Sequence, residues 1–366
     1  MTSDHDVAVV GGGPAGAAAA LALAARGRRV LLAHAPGGPP PVGEALPAVA
    51  RMLLRDLGVA DTVPGTGHLP CYGNRSAWGA QDIGTVDSIN DPYGPGWHLD
   101  RALFDRRLRA AARAVGVDVR EAVVRPDSRH QDGSWTLTLA GRTVRCRHLV
   151  DATGRRAAIA TTHGARRVRG DRLVALYLTL DARDTADGTT LVEAAPDGWW
   201  YSALLPGGRL LVAFFTDADL PAARPDSRSF GLRLAATGPT AARTAAHRTL
   251  PAPARAPAHT VRLDRVHGDG WTAVGDAAAA FDPLSSQGIL TALYTGQAAG
   301  AAVHGHLDGD PHALDGYTDV VTAVTAAYRR HHAVYYALEQ RWPDSPFWQR
   351  RQSGAAPRVA AQVYPK

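Results

Sequence analysis

The sequence predicts an α/β protein in which a Rossmann-like nucleotide-binding domain is interrupted by an antiparallel-sheet domain and followed by C-terminal helices. Three observations lead to this prediction. A short apolar strand runs directly into a glycine-rich turn and an alanine-rich helix within residues 6–26. Residues 173–215 alternate apolar and polar side chains, as a half-buried antiparallel sheet does. Residues 312–342 carry tyrosine and valine at helical spacing.

The first elements form a βαβ unit. Asp6–Val10 predicts a strand, Ala17–Arg26 a helix that Gly27 ends, and Arg29–Ala33 a second strand. A long helix is expected at Leu46–Leu57. Residues 64–98 predict loops and short strands, and residues 100–115 predict a helix that Asp100 caps. Strands are then expected at Val117–Val123, Ser134–Ala140, Arg142–Arg147 and His148–Asp151.

A second region, about 165–258, has a different pattern. Its antiparallel strands are expected at Leu173–Leu180, Gly198–Leu204 and Arg209–Phe215, with a hairpin turn at 206–208 and loops at 221–225 and 251–257. Trp271–Val274 predicts another strand and Ser286–Leu307 a helix. Residues 312–342 predict one last helix or a pair.

Composition excludes several classes of protein. The chain has 366 residues, of which 45% are hydrophobic and 20% charged, close to globular averages. The longest apolar run, near Ala15–Ala25, is too short for a membrane span, and no leader peptide is visible. Its two cysteines form neither a disulfide framework nor a paired metal motif. We expect a cytoplasmic protein without a membrane partner, with free thiols at Cys71 and Cys146.

The basic residues are almost all arginine. The formal net charge is +6, and Lys366 is the only lysine. Because the arginines are scattered among alanines, we expect no nucleic-acid partner. Residues 329, 330, 350 and 351 are arginines that form either a basic rim for an acidic peptide or carrier protein, or a solvated face.

The glycine turn carries the first functional motif. Gly11, Gly13 and Gly16 match GxGxxG between a strand and a helix, with Pro14 and Ala15 inside the motif. In that context the glycines allow the tight turn, the approach of a pyrophosphate and close helix packing. The alternative is a plain glycine-rich turn.

The acidic residue that normally follows the second strand is missing. His34 stands at or next to that position. It either bonds to a ribose hydroxyl, more weakly than a carboxylate would, or points to solvent.

Further segments narrow the prediction to a family. Residues 43–47 (GEALP), 149–155 (LVDATGR), 273–278 (AVGDAA) and 281–289 (FDPLSSQGI) follow in order. With them the chain resembles the glutathione-reductase-type FAD proteins, and more narrowly the flavin monooxygenases and tryptophan-halogenase-like flavoproteins. Within this group the chain resembles the flavoproteins that oxidise free or peptidyl tryptophan, including enzymes that serve tryptophan-quinone proteins. The segments that carry this resemblance are residues 199–202, 214–219 and 345–348. The resemblance covers the whole chain.

The resemblance implies FAD as cofactor and a set of roles. It implies a discontinuous FAD-binding domain at 1–75, 97–165 and 258–310, a substrate-binding sheet domain at 76–96 and 166–257, and a C-terminal helical segment at 311–366. Besides the glycine turn and His34, the expected FAD-binding residues are Glu44, Arg101, Asp276, Pro283, Ser286, Gln287, Gly288 and Ile289. Two have structural alternatives: Asp276 as a helix N-cap, and Arg101 as an i,i+4 partner of Asp105.

The resemblance also distinguishes halogenation from hydroxylation. Flavin halogenases use an active-site lysine and carry a Trp-x-Trp-x-Ile-Pro motif, and this chain has neither. We expect a monooxygenase that hydroxylates an aromatic, indole- or tryptophan-derived substrate, free or peptide-borne, through a flavin hydroperoxide in a biosynthetic pathway. Dioxygen would be the oxidant, and NAD(P)H or a separate flavin reductase the electron source. The alternatives are an oxidase or dehydrogenase that removes hydride, and a protein that retains FAD structurally.

Three residues are candidates for catalysis. Alternation places Trp199 and Tyr201 on one face of a strand, where they stack a planar substrate or pack as core, and Trp200 on the other. Asp282 is expected either to transfer protons or to hold the adjacent loop. No metal site is expected, because the histidines at 304, 306, 331 and 332 lack a matching ligand set and are interpreted as solvated.

Overall fold

The computed structural model describes residues 4–37, 44–124, 129–131, 133–182, 187–247 and 249–352. Strands and helices are numbered here in chain order. The helices within these ranges are α1 Pro14–Ala24, α2 Ala50–Asp56, α3 Arg101–Ala114, α4 Ala158–Thr162, α5 Ser227–Ala235, α6 Pro239–Thr244, α7 Gly288–Leu307, α8 Ala313–Leu338 and α9 Pro346–Gln352.

A largely parallel sheet follows from the βαβ pattern at the start of the chain. Its strands are β1 His5–Val10, β2 Val30–His34, β8 Asp118–Glu121, β9 Arg129–Gln131, β10 Ser134–Leu139, β11 Arg142–Asp151, β19 His267–Gly268 and β20 Trp271–Ala273. The central order is β19-β20-β11-β1-β2-β8. Strand β1 lies parallel to both β2 and β11, and β20 lies parallel to β11. The carboxyl ends of these strands therefore meet at one edge, where ligands bind in such sheets.

Small residues let helix α7 pack closely on helix α1. A Cβ added at Gly296 would lie 2.2 Å from the Ala15 carbonyl oxygen, and one at Gly300 would lie 2.7 Å from Ala22 Cβ. Residues Ala17–Ala20 of α1 are fully buried. The backbones approach so closely because alanine and glycine present almost no side chain between them.

A second, seven-stranded sheet forms from the alternating region. Its order is β17-β13-β16-β15-β14-β5-β6. The strands are β5 Gly73–Ala77, β6 Gly84–Asp87, β13 Leu173–Asp181, β14 Thr189–Ala195, β15 Gly198–Leu205, β16 Arg209–Asp217 and β17 Ala254–Pro257. The two small sheets contain β3 Ala45–Leu46, β4 Leu69–Cys71 and β7 Gly96–His98, and β12 Arg167–Arg169, β18 Val261–Leu263 and β21 Ala279–Ala280.

Both faces of the seven-stranded sheet are buried, and they bury different residues. Trp199 and Tyr201 share one apolar cluster with Tyr336 of α8. Trp200 belongs to the cluster on the other face, with Phe230 of α5. The alternation predicted from the sequence is therefore confirmed, and it gives the sheet two chemically distinct sides.

Most predicted elements are present, with shifted bounds. The helix expected at Leu46–Leu57 was wrong at its start, because Ala45–Leu46 pairs with β7 and α2 begins only at Ala50. The loop expected at 251–257 was also partly wrong, because Ala254–Pro257 pairs with β13. The two strands expected within 142–151 are one continuous strand, β11, and residues 312–342 contain a single helix, α8.

The short helix α9 is clamped to the end of β16 by ion pairs. Arg351 Nη2 lies 2.7 Å from Asp217 Oδ1, and the Arg351 side chain is only 4% exposed. Arg350 Nη1 lies 2.9 Å from Asp219 Oδ1. These two arginines are therefore engaged within the protein and do not form the basic rim considered above. Among the described residues, no helix is long and apolar enough to cross a membrane.

Candidate functional site

A cavity of about 350 Å³ lies between the glycine turn after β1 and the Tyr201 face of the seven-stranded sheet. Gly13–Gly16 line it from the glycine turn, and Leu211, Ala213 and Phe215 of β16 line it from the sheet. Between them the cavity contacts Arg101 and residues of the 281–289 segment. The structure thus brings together motifs that are far apart in the sequence.

The glycine turn is shaped by steric limits at two positions and leaves space at a third. Gly11 has φ +120, and a Cβ there would lie 2.1 Å from the Ala152 carbonyl oxygen. A Cβ at Gly16 would lie 1.9 Å from the Gly11 oxygen, whereas at Gly13 no described atom lies within 4 Å. Helix α1 begins at Pro14, so its first-turn amides lack intrahelical partners and face an open cradle.

Two charged residues line the middle of the cavity. Asp100 caps α3 by accepting a hydrogen bond from the Leu103 amide at 2.8 Å, which places Arg101 at the start of the helix. Arg101 Nη2 lies 3.5 Å from Asp105 Oδ2, so the i,i+4 contact considered above is present, and Arg101 also lines the cavity. Asp276 lies 3.6 Å from Arg155 Nε. Burial raises the pKa of Asp276, although the charges of Arg155 and Arg101 act in the opposite direction.

Asp276 does not cap a helix in this structure. It lies inside a single 3-10 turn, Gly275–Ala277, whose N-cap is Val274. Its carboxylate is available to a ligand in the cavity, which it lines together with Arg101.

The segment after Asp282 forms a tight turn into helix α7. Pro283–Ser285 is a 3-10 turn, Ser286 takes a left-handed conformation at φ +50, and α7 starts at Gly288. Pro283, Ser286, Gly288 and Ile289 line the cavity. Gln287 is exposed and lies outside the cavity wall.

Asp282 is fully buried and holds this turn. Its Oδ1 accepts a hydrogen bond from the Leu284 amide at 2.9 Å, and its Oδ2 accepts one from the Tyr336 hydroxyl at 2.7 Å. His332 Nε2 lies 3.3 Å from the same Oδ2. Burial raises the pKa of Asp282, but His332, the Leu284 amide and Arg351 outweigh it and leave the pKa below its ordinary value. These contacts favour the structural role of Asp282 over proton transfer.

Trp199 joins the same hydrogen-bond chain without reaching the cavity. Its indole N–H donates to the Tyr336 hydroxyl at 3.0 Å, and Tyr336 donates onward to Asp282. The ring is fully buried and stacks on Phe215 at 3.9 Å between centroids. Trp199 is thus part of the wall behind Phe215 and outside the cavity lining.

Tyr201 and Glu44 form a hydrogen-bonded pair at the cavity wall. The Tyr201 hydroxyl donates to Glu44 Oε1 at 2.6 Å, and Glu44 is only 4% exposed. Burial and the Glu44 carboxylate raise the pKa of Tyr201 well above its ordinary value, so the hydroxyl remains a donor. Sequence reasoning named both residues but gave no reason to pair them.

Some functional neighbours of the cavity residues were missed by the sequence analysis. Tyr336 and His332 hold Asp282, and only their helical spacing in α8 was visible in the sequence. His332 is therefore not merely solvated. His34 ends β2 but lies outside the cavity lining, with Nδ1 3.4 Å from the Ala35 oxygen.

The side chains that could ligate a metal do not cluster in the part of the chain described. No group of three histidine, cysteine or carboxylate side chains there could hold a metal ion. Cys71 and Cys146 are free thiols, as expected.

Comparison with known proteins decides the family. The family model described as tryptophan halogenase matches residues 73–364. The chain belongs to the tryptophan halogenase family. LodB of Marinomonas mediterranea, named as an FAD-dependent oxidoreductase, is 29% identical over 96% of this chain and 98% of LodB.

Two solved structures of related proteins share the fold. The myxobacterial chondrochloren halogenase CndH superposes with a TM-score of 0.84 and 25% identity, over 95% of this chain and 85% of CndH. The peptidyl tryptophan dihydroxylase QhpG superposes with a TM-score of 0.81 and 27% identity, over 96% of this chain and 79% of QhpG. The resemblance and the fold class predicted from the sequence are thereby confirmed.

The protein is an FAD-dependent oxidoreductase of the tryptophan halogenase family. Its own residues fit the cofactor. The open space at Gly13 and the amides of α1 suit a pyrophosphate. The same cavity is lined by this turn, by Arg101 and Asp276 and by the apolar sheet, so it offers contacts for the pyrophosphate, the hydroxyls and the flat ring of a flavin dinucleotide.

Proposed function

We propose that this protein is a monooxygenase that transfers one oxygen atom of dioxygen to an aromatic, indole-bearing substrate. One observation carries the proposal: the only lysine of the sequence is Lys366, which lies outside the described residues. In the chemistry that the family resemblance implies for halogenation, an active-site lysine handles the hypohalous acid. This chain departs from that pattern.

Arginine is not a substitute for that lysine. Arg101 and Arg155 are the cations in the cavity lining. A guanidinium stays protonated at all accessible pH and offers no lone pair to an electrophilic halogen, whereas a lysine amine loses its proton readily when buried. Among the described residues, the cavity lining therefore provides charge for binding anions but no amine nucleophile.

The proposed FAD contacts follow the cavity from end to end. Gly13 and Gly16 would hold the pyrophosphate at the amides of α1, Arg101 would lie along the cofactor, and Asp276 would bind ribitol hydroxyls. Backbone amides of 286–289 would lie at the carbonyl end of the flavin ring, where the start of α7 favours negative charge. When bound, reduced FAD supplies the two electrons that activate dioxygen.

The opposite wall suits a flat aromatic substrate. Ala175, Leu211, Ala213 and Phe215 present an apolar surface that would exclude water from the reacting atoms. Glu44 is the carboxylate at this wall, and one of its oxygens accepts from Tyr201. We infer that a Glu44 oxygen accepts the indole N–H and orients the ring.

The proposed reaction balances with one external reductant. A ring C–H is replaced by C–OH, and the second oxygen atom leaves as water. The two electrons come from NAD(P)H, directly or through a separate flavin reductase. Because QhpG is a peptidyl tryptophan dihydroxylase at 27% identity, we include peptide-borne tryptophan among the substrates to be tested.

The alternative is hydride removal by an oxidase or dehydrogenase. LodB is named only as an FAD-dependent oxidoreductase, and this name also covers oxidases and dehydrogenases. The two are separated by supplying the FAD-loaded protein with indole, tryptophan or tryptophan-containing peptides, either with dioxygen and reductant or anaerobically with an artificial electron acceptor. We expect oxidised product only with dioxygen, and product formed anaerobically would overturn the proposal. Glu44→Gln is expected to raise KM for the indole substrate, and a separate titration of this variant with FAD measures the contribution of Glu44 to cofactor binding that the resemblance implies.

A further inference from the structure

A second cavity lies on the other face of the seven-stranded sheet. Its volume is about 470 Å³. Trp200 and Phe214 line it, whereas their strand neighbours Tyr201 and Phe215 line the FAD cavity. Side chains alternate across a sheet, so the two cavities are separated by the sheet itself. The second cavity is also lined by Arg233 of α5, by the turn into α6 and by residues 341–342.

Two buried donors in this cavity have no partner among the described residues. Trp200 is fully buried, and its indole Nε1 makes no hydrogen bond. The Arg233 Nη1 atom is likewise buried without a partner. Leaving such groups unsatisfied costs on the order of 1–3 kcal/mol each, and more for a charged group. Their placement around one cavity indicates a ligand that accepts hydrogen bonds.

The acidic side chains at this cavity do not accept hydrogen bonds from Trp200 or Arg233. Glu193 also lines the cavity, but its two oxygens already accept from the Gly238 amide at 2.8 Å and from the Thr240 amide and hydroxyl at 2.8 and 2.6 Å. Asp197 is exposed at the rim. Arg341, in contrast, is already paired with the buried Glu339. In the part of the chain described, Arg233 is therefore the cation of this cavity that makes no ion pair within 4 Å, although its charge acts on Asp226.

Aromatic rings form part of the remaining walls. Trp200 packs against Phe214 with centroids 4.7 Å apart. Trp342 stacks on Trp348, and the Arg341 guanidinium lies 4.4 Å above the Trp342 ring. These surfaces suit an apolar ligand body, whose burial would be favourable.

We propose that this second cavity binds an apolar carboxylic acid. Its carboxylate would accept hydrogen bonds from Arg233 and from the Trp200 indole, and its body would lie against Phe214 and Trp342. A guanidinium is the side chain best suited to hold a carboxylate. The site is separate from the FAD cavity and does not depend on the reaction proposed above.

The test uses calorimetric titration of the FAD-loaded protein with 4-phenylbutyrate and with its uncharged amide. We expect the acid to bind, and the amide to bind at least about tenfold more weakly, because the amide lacks the charge that strengthens the hydrogen bonds to Arg233. Arg233→Gln is expected to weaken the acid at least about tenfold, and Trp200→Phe, which keeps the ring but removes the N–H, about threefold. Arg228→Gln, on the exposed side of the same helix, is the matched control and should bind as the wild type does.

Two results would overturn the proposal. One is that the wild type binds neither 4-phenylbutyrate nor a short peptide ending in a free phenylalanine carboxylate at millimolar concentration. The other is binding that does not distinguish acid from amide, or that both Arg233→Gln and Trp200→Phe leave unchanged. A flavin absorbance spectrum checks that each variant is folded. A short peptide ending in phenylalanine, compared with its C-terminal amide, separates the two sources of the carboxylate: binding of this peptide instead of the free acid, weakened by Arg233→Gln, would support a chain terminus as the ligand.

Discussion

At the level of single residues, a substitution at Gly13 is expected to affect FAD binding without affecting the stability of the fold. It lines the cavity, its backbone conformation at φ -79 is open to any residue, and no described atom would contact an added Cβ within 4 Å. A side chain there would occupy the space assigned to the pyrophosphate. We predict that Gly13→Val weakens FAD binding at least about tenfold while the free energy of unfolding of the apoprotein changes by less than about 1 kcal/mol.

Equilibrium titration of FAD by fluorescence, with denaturant unfolding of the apoprotein, checks this prediction. Gly16→Ala provides the contrast, because its Cβ would lie 1.9 Å from the Gly11 oxygen and must distort the turn. Wild-type FAD affinity in Gly13→Val would show that the pyrophosphate lies elsewhere.

Asp282 gives a pH-dependent prediction. Its pKa in the folded protein lies below the ordinary value, because His332 and the Leu284 amide outweigh burial. Its contribution to stability is therefore complete above the unfolded pKa of about 4 and is lost as pH falls through the folded value. We predict that Asp282→Asn lowers the free energy of unfolding by about 1–3 kcal/mol at neutral pH, and that this difference shrinks below the unfolded pKa.

Urea unfolding at a series of pH values measures this difference. Asp319→Asn, at an exposed position of α8, is the control and should change stability little at any pH. A loss of stability in Asp282→Asn that persists unchanged in acid would contradict the assigned ionised carboxylate.

These residues also show how far the sequence could predict the site. The roles of Gly11, Gly13 and Gly16 depend on local backbone geometry, so the motif was sufficient to predict the turn. The partners of Asp282 could not be predicted, because His332 and Tyr336 lie about fifty positions away in another helix. Only tertiary packing brings that helix to the turn, and no local sequence pattern predicts this packing.

At the level of elements, the contact between α1 and α7 is sterically restricted. A Cβ at Gly296 would lie 2.2 Å from the Ala15 oxygen, a distance at which backbone must move. We predict that Gly296→Ala lowers the free energy of unfolding by about 1–3 kcal/mol, because the helices are forced apart. Gly316→Ala in α8, where no described atom lies within 4 Å of the added Cβ, should instead raise it by up to about 1 kcal/mol through helix propensity.

Thermal and denaturant unfolding of the two variants tests whether their changes in the free energy of unfolding have opposite signs. Equal effects of both substitutions would mean that helix propensity, and not the approach of α1, determines stability at Gly296.

Element prediction succeeded where the signal was local and failed where a distant strand intervened. Asp100 caps α3 as expected, through its side chain and the Leu103 amide. Leu46 was predicted to begin a helix, because nothing in residues 46–57 indicates that β7 pairs with this position. Ala254–Pro257 was read as loop for the same reason, since its pairing with β13 crosses about eighty residues.

At the level of the whole molecule, cofactor binding should couple the two large sheets. The FAD cavity is lined by residues of the glycine turn after β1, of α3 and of the seven-stranded sheet. A ligand that binds only the folded protein stabilises it by about 2.7 kcal/mol at one hundred times its dissociation constant. We predict that FAD raises Tm of the wild type in a concentration-dependent manner and leaves Tm of Gly13→Val almost unchanged. Calorimetry with and without FAD measures both, and equal shifts in the two proteins would contradict this coupling.

The central claim is that this cavity, whose described lining contains no lysine, transfers oxygen and not halogen. It is tested most directly by supplying the FAD-loaded protein with reductant, ¹⁸O-labelled dioxygen, bromide and tryptophan, free or within peptides, and analysing the product by mass spectrometry. The account predicts a product that contains ¹⁸O and no bromine. A brominated product formed in place of the ¹⁸O-labelled one would contradict it.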